Sequence, residues 1–498
     1  MMLLNKIGKI NKLVALGICA VCFFSCRKLI DIKPPVSNVN EENVYKSDAS
    51  AIAVLTGIYL RLGTTDVIFS GAGGVSTLTG LSADELTLYS GVNDNKLIAY
   101  YTNNLSASSV LTNYGSEFWA SGAGLYYNIF ICNAAIEGIT KTTTLTPSVQ
   151  LQLLGEAKFL RAFFYFYLVN LYGDVPLALT TDPAVNAIIP RSPKAQVYQQ
   201  IIDDLKTAQN LLSPDYLDGG LKAYQNLAGA ERVRPTKWAA AALLAKVYLY
   251  YGNLTNDAGN FAKAEEQSSI VINNLTYYSL APLNNVFLKN SSESIWQIQP
   301  SNVGRNTEDG ITFILPATGP NTSVNPVYLS NQMLGSFEAV DQRKSKWVSS
   351  VTPTPPGTNT YYFAYKYKAT VASGAATEYL MMFRLGEQYL IRAEARAQQN
   401  NIGGAQADLN MIRARAGLTN TAANDKATLL VAILHERQVE LFTEGHRWFD
   451  IKRTKNVDAI MNIVTPLKGG TWQITDQLYP IPVDDILKNP NLIQNAGY

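Results

Sequence analysis

Two kinds of sequence alternate along the chain. In the first, apolar residues recur at spacings of three and four. This predicts helices over 41–62, 116–139, 147–172, 194–212, 236–251, 258–273, 384–399, 403–415 and 426–444. The second kind is polar, rich in Gly, Asn, Ser, Thr and Tyr, and irregular; it covers 64–114, 275–383 and 454–498. Stretch 275–383 is too long for a structureless loop in a compact body. Within it "ESIWQIQP" and "TYYFAYKYKAT" alternate as strands do, which puts Tyr361, Phe363, Tyr365 and Tyr367 on one face.

The predicted helices pair. "AALLAKVYLYYG" followed by "FAKAEEQSSIVI" has the pattern of a tetratricopeptide-type hairpin. Ala242 and Ala245 let two helices approach, Tyr248 fills a gap, and Gly252 ends the first helix. "EQYLIRAEARAQQN" and "GGAQADLNMIRARAG" repeat the scheme, with Ala393 and Ala397 facing Ala405, Leu409 and Ile412. About four such pairs suffice to bury their faces in a stack. The expected fold is mainly α: four tetratricopeptide-like helix pairs form a body, and long loops with a few short strands are laid over it.

Composition narrows the function. The chain has 498 residues, 47% of them hydrophobic and 16% charged, enough for a sizeable core. A net charge of +2 without basic blocks beyond the N-terminus excludes a nucleic-acid footprint. Tyrosine (28) outnumbers phenylalanine (17), which points to a wet aromatic surface. At the N-terminus Lys6, Lys9 and Lys12 precede an apolar run, Leu13 to Phe24, too short to span a bilayer. "FFSC" then ends in Cys26. This predicts a lipoprotein signal peptide over 1–25, acylation at Cys26, and a tether over 26–40 stiffened by Pro34 and Pro35. Residues 41–498 are read as one domain. Once Cys19 and Cys22 are removed, Cys132 is the remaining thiol, a small buried hydrophobe.

Both histidines, His435 and His446, lie in "HERQVELFTEGHRWFDIKR" among Glu436, Glu440, Glu444 and Asp450. A zinc helix needs a second ligand three or four residues on, and His435 has Gln438 and Val439 there. Gly445 fits a helix end and separates the two histidines. The three glutamates form one stripe, which needs cationic partners. Arg437, Arg447, Arg453 and Arg413 are the candidates, and the expected role is a salt-bridged core. No metal site, phosphate loop or nucleophile elbow is present, and no cofactor is expected. Asp84 and Glu85 of "SADEL" are adjacent, an arrangement that diverges in direction and does not suit a glycosidase pair.

Several stretches together resemble one family. They are the Cys26 motif, "GEAKFLRAFFYFYLVNLYGDVPL", "RPTKWAAAALLAKVYLYYG", "YLIRAEARAQQNNIGGAQADLNMIRARAGL", "HERQVELFTEGHRWFDIKR" and "LYPIPVDDILKNPNLIQNAGY". In this order they look like the SusD/RagB family of outer-membrane nutrient-binding lipoproteins. Two departures stand out: Ala496 where the family usually has proline, and Arg27 and Lys28 after Cys26 where an acidic export signal is absent. The resemblance implies a non-enzymatic protein, lipid-anchored in the outer membrane and facing the exterior. It implies an oligosaccharide ligand and a TonB-dependent SusC-like transporter as partner. A peptide ligand, as in some branches, or a glycoside hydrolase are the alternatives.

The resemblance also implies that the ligand site lies in the loops. Sugars combine apolar ring faces with hydroxyl rims, so aromatic platforms beside amides and charges suit them. Tyr89, Asn95, Tyr100, Tyr101, Asn103, Trp296, Arg305 and Tyr328 are the candidate ligand-binding residues.

Overall fold

The structure, a computed structural model, describes residues 44–64, 69–107, 113–119, 124–354, 359–371 and 374–498. Cys26, the signal peptide and the tether lie outside the described residues. All elements below belong to the unit Tyr45–Tyr498.

Helix α1, Asp48–Leu62, is capped by the Ser47 side chain and packs on the start of the body. Two short helices follow, α2 (Val75–Ser82) and α3 (Asn95–Thr102). The body is a run of long helices: α4 (Leu125–Lys141), α5 (Pro147–Tyr172), α6 (Lys194–Leu211), α7 (Lys237–Thr255), α8 (Ala258–Ile272), α9 (Leu385–Gln398), α10 (Ile402–Arg415) and α11 (Lys426–Leu441). Each contacts its neighbour before and after it in this series. The tetratricopeptide-like stack expected from the pairing is therefore present, and the fold is mainly α. Helices α12 (Arg447–Arg453) and α13 (Val457–Leu467) close the body.

Residue chemistry sets the helix ends. Pro147 occupies the first turn of α5, where its missing N–H costs nothing. Asp425 caps α11 and forms a reciprocal box with Thr428. α7 runs past Gly252 and ends at Asn256, which takes the left-handed cap conformation at φ 54°. Gly252 has a different job: a Cβ there would meet the Phe261 ring at 2.8 Å, so it is the point of closest approach between α7 and α8. α5 is apolar nearly all round and is buried on nearly all sides, with Phe159, Phe163, Phe164 and Phe166 in the core. Ala393, Ala397, Ala405, Leu409 and Ile412 meet in one core cluster with Leu429 and Ile433. Cys132 is buried, and burial pushes its thiol pKa up.

The irregular stretches hold short antiparallel strand pairs. In chain order these are β1 (Leu86–Leu88), β2 (Ser106–Ala107), β3 (Asn113–Tyr114), β4 (Val175–Pro176), β5 (Arg191–Ser192), β6 (Ser294–Ile298), β7 (Val327–Leu329), β8 (Val348–Val351), β9 (Tyr361–Ala364) and β10 (Leu380–Arg384). β6 pairs with β10, which leads directly into α9. β1 pairs with β7, so the two long polar stretches are joined to each other. β9 ends at Ala364, and only Tyr361 and Phe363 of the expected four-residue face belong to it. Beyond it the chain turns Lys366 and Tyr367 inward.

Candidate functional site

The β1–β7 pair positions the aromatic residues. Leu86 and Leu88 face the core opposite Leu329 and Val327. By the two-residue period, Thr87 and Tyr328, directly opposite one another, emerge on the other face. Just past β1 the chain makes a turn closed by the Val92 N–H to the Tyr89 carbonyl at 3.0 Å. Gly91 lets the Tyr89 ring fold over this turn, since a Cβ there would lie 2.7 Å from the ring. Tyr361, from β9, stands edge-on to Tyr328 at 5.1 Å and to Tyr89 at 6.3 Å between centroids. Tyr101, on α3, is hydrogen-bonded to Thr87 and lies near enough to Tyr328 to influence its hydroxyl. All four tyrosines are half-buried, each leaving part of its ring in solvent.

The floor of this cluster is charged. The Lys468 ammonium donates to the carbonyls of Leu81 (2.7 Å) and Ala83 at the C-terminal end of α2. The same group lies 5.4 Å from the Tyr101 ring centroid. Burial lowers its pKa to about 7, against the opposing influence of Asp84. Asn93, Asp94 and Asn95 are all exposed, and Asp94 caps α3 through the Lys96 N–H at 2.8 Å.

The structure thus brings together Tyr89, Tyr101 and Tyr328, while Asn95 is exposed in the first turn of α3. Tyr361 and Lys468 were missed. The alternation through "TYYFAYKYKAT" marked the face of Tyr361 but nothing in the sequence marked its neighbours; Lys468 caps α13, a helix with Val457, Ile460, Met461 and Val464 at helical spacing inside 454–498, a stretch expected to be irregular.

Three expected site residues belong instead to the interior. Consecutive helical residues diverge by about 100°, so α3 sends Tyr101 outward and Tyr100 inward. The Tyr100 hydroxyl donates to Glu117 at 2.6 Å, and its ring meets Tyr479 edge-on at 5.3 Å. Asn103 is the left-handed cap of α3 at φ 54°, and its amide ties Ser82 to Thr465. Trp296 lies on β6, which is buried on both faces; its indole donates to the Val233 carbonyl at 2.8 Å, and Phe159, Phe163 and Phe383 surround it.

Arg305 lines a different concavity, a groove of about 660 Å³ shared with Tyr59, Tyr224, Lys289, Asn302 and Tyr379. Its guanidinium pairs with Glu308 at 3.3 Å. None of the four clustered tyrosines lines this groove.

The carboxylates are engaged in structure. The Asp84 carboxylate is chelated by Arg447 through two bonds of 2.7 Å. Burial pushes its pKa up, but Arg447 outweighs that and holds it low. Glu85 is raised to about 8 by burial and by Asp84, and accepts the Thr443 N–H at 3.2 Å. Glu440 meets Arg384 at 2.6 Å, Arg343 at 2.9 Å and Arg415. Glu444 meets Lys366 at 2.6 Å and Arg384 at 2.7 Å. Of the four arginines expected to serve the stripe only Arg413 does, through Glu436 at 3.2 Å. Arg437 bonds Asp450, Arg447 bonds Asp84, and Arg453 bonds Glu394 and Asp450, because each projects from a different side of its helix. His435 contacts the Ser336 carbonyl at 2.7 Å. His446 is buried beside Lys246 and Glu387, and burial followed by the Lys246 charge holds it neutral. Among the described residues no three metal-ligating side chains converge.

Similarity to known proteins accords with this architecture. The family described as "Starch-binding associating with outer membrane" matches residues 85–249, and the SusD family matches residues 346–498. SusD-like protein P2 of Formosa agariphila is 27% identical over 394 residues, covering 69% of this chain and 73% of the relative. A SusD superfamily structure from Parabacteroides distasonis superimposes with a TM-score of 0.75 at 24% identity, over 90% of this chain and 99% of that one. A laminarin-binding SusD-like protein does so with a TM-score of 0.71 at 22% identity, over 91% and 100%. The first matched segment begins at the strand that carries the tyrosine cluster and the second ends with the closing helices and the C-terminal tail: the chain belongs to the SusD/RagB family.

Proposed function

We propose that this chain binds an oligosaccharide at the tyrosine cluster and passes it, unaltered, to a TonB-dependent SusC-like transporter. In this reading residues 1–25 are a signal peptide, Cys26 is acylated, 26–40 are a tether, and 41–498 act as one domain held at the outside of the outer membrane.

One observation carries the reading. Tyr89, Tyr101, Tyr328 and Tyr361 come from four separate elements and converge with part of each ring exposed. Such rings offer apolar faces to sugar C–H groups and hydroxyls to sugar oxygens, and the exposed Asn95 adds an amide. A core aromatic cluster would be dry, and this one is half wet. The names of relatives point the same way: one similar structure is a laminarin-binding protein, and one matching family is described as starch-binding. A hydrolase reading lacks its acid–base pair here, since Asp84 is chelated by Arg447 and Glu85 faces Thr443 in the core.

A glycan array probed with the purified chain identifies the ligand, and calorimetry then tests the site. Aromatic contacts contribute about 0.5–1.5 kcal/mol beyond burial. Tyr328→Ala and Tyr361→Ala are each expected to weaken binding roughly two- to tenfold, with circular dichroism unchanged. A double variant that binds its glycan as well as the unaltered chain refutes the placement, and binding of peptides but no glycan refutes the ligand class.

A further inference from the structure

Most buried cations among the described residues are matched by carboxylates, although Arg232 and Lys468 donate to backbone carbonyls instead. Arg161 meets Asp204, Arg234 meets Glu156, Lys246 meets Glu387 and Lys366 meets Glu444. One cavity departs from that rule. It measures about 450 Å³ and lies between the ends of α5 and α7, the start of α6, helix α12 and the segment 474–478. Lys194, Lys452, Arg453 and Lys455 line it, and no Asp or Glu does.

Arg453 is already satisfied by Glu394 at 2.5 Å and Asp450 at 2.8 Å. The lysines are not. Lys452 donates to the Asn170 carbonyl at 2.7 Å and lies 5.3 Å from the Trp448 ring centroid. Among the described residues neither Lys452 nor Lys194 makes a salt bridge; the Asp174 carboxylate nearest Lys194 accepts its backbone N–H at 2.9 Å. Burial lowers the pKa of both side chains; for Lys452 the charge of Lys194 adds to it, and for Lys194 the nearby Asp174 opposes it without reversing it. Lys194 and Lys452, whose charge burial disfavours, line this concavity with Tyr198, Asn253 and Gln477 as further polar groups, and together they form a site that an anion would relieve.

We propose that this cavity is an oxyanion site, in which Lys194 and Lys452 hold a sulfate, phosphate or carboxylate group. It is separate from the tyrosine cluster and does not depend on it. An ammonium is a compact point charge with three donors, and Lys452 has spent one on Asn170, so each lysine retains donors for the anion. The volume exceeds what a bare inorganic anion needs and falls in the range of small-molecule sites. The favoured occupant is therefore an anionic group borne on a small organic molecule, which, resting on the function proposed above, is a sugar unit.

The test is equilibrium dialysis of radiolabelled sulfate against the full-length chain in detergent, at constant ionic strength with chloride as counter-ion. Phosphate, glucuronate and glucose 6-sulfate serve as competitors. One saturable sulfate per chain is expected, weakened at least tenfold in the Lys194→Met, Lys452→Met double variant. Stronger competition by the two sugar anions identifies a sugar-borne group, and stronger binding of the inorganic ions identifies a free anion. Asn253→Asp keeps both lysines and adds a carboxylate to the lining, so it is expected to abolish sulfate binding. Absence of saturable binding by all four probes, or sulfate binding undiminished in Asn253→Asp, overturns the proposal.

Discussion

Glu440 is fully buried among Arg343, Arg384 and Arg415, and these charges decide its behaviour. Burial pushes its pKa up, but Arg415, Arg384 and Arg343 together hold it well below the usual carboxylate range. Removing one partner of a buried pair leaves charges uncompensated and costs about 3–5 kcal/mol. Glu440→Ala is therefore expected to lower stability by about that much in chemical denaturation, with glycan binding retained in the folded fraction. A carboxylate with a depressed folded pKa adds stability that is full above its unfolded value and lost as pH falls through the folded one. The arginine network should thus stabilise at neutral pH and fail in acid. Glu85 works in the opposite direction. Its folded pKa, about 8, lies above the ordinary glutamate value of 4.5, so between the two the folded chain holds a proton that the unfolded chain has released. Its presence costs stability progressively from pH 4.5 to about 8, on the order of a few kcal/mol. Glu85→Gln is expected to raise the unfolding temperature at pH 8 and leave it unchanged at pH 4.5; an equal shift at both pH values would show that the carboxyl is not protonated in the fold. The glutamate stripe was legible in the sequence because four-residue spacing fixes a helix face. Its partners were not, because Arg343 and Lys366 arrive from an insertion and Arg384 from its edge, 56 to 97 positions away in sequence, a pairing local spacing does not encode.

At the scale of elements, the body helices were readable because each has an apolar face at three- and four-residue spacing bounded by caps. α2 was not: "VSTLTGLS" is rich in β-branched and small polar residues of low helix propensity, and every residue in it is buried. Tertiary packing and the Lys468 ammonium at its C-terminal end hold it. α3 lies in 64–114, a stretch whose composition predicts irregular loop; Asp94 and Asn103 cap it there as a helix. That difference sorts the site residues. In a loop both Tyr100 and Tyr101 can face a ligand; in a helix only one can. β6 makes the same point, since a strand buried on both faces has no outward aromatic. Trp296→Ala is accordingly expected to act on stability. Deleting a buried indole costs about 3–5 kcal/mol, to be seen as a lowered denaturation midpoint, while the folded variant keeps its affinity for glycan. A folded Trp296→Ala chain that has lost binding would return this residue to the site.

The whole molecule is a helical stack that carries two long insertions, and the β1–β7 pair ties one insertion to the other. The stack was visible from its repeats, and the insertions from their polar composition. Their junction was not, because strands of three residues separated by 238 positions leave no periodic trace. Yet the junction is where the tyrosines meet, so this fold builds a half-wet aromatic surface at a contact that local sequence does not encode. A binding surface of this kind serves uptake only if it is held at the membrane. Among the described residues no helix is long and apolar enough to cross one. The attachment is expected at Cys26, where the thiol follows a basic and then an apolar segment. A single acyl chain gives only marginal anchoring, and several on one residue give a stable one. Cys26→Ser is therefore expected to release the chain from washed membranes into the supernatant, with loss of metabolically incorporated palmitate. Its glycan affinity, measured on the released protein, should be unchanged, because the tyrosine cluster and the adjoining Lys468 all belong to the unit Tyr45–Tyr498. A serine variant that stays in the membrane pellet after high-salt and carbonate washing would show that the chain is anchored by something other than a lipid on Cys26.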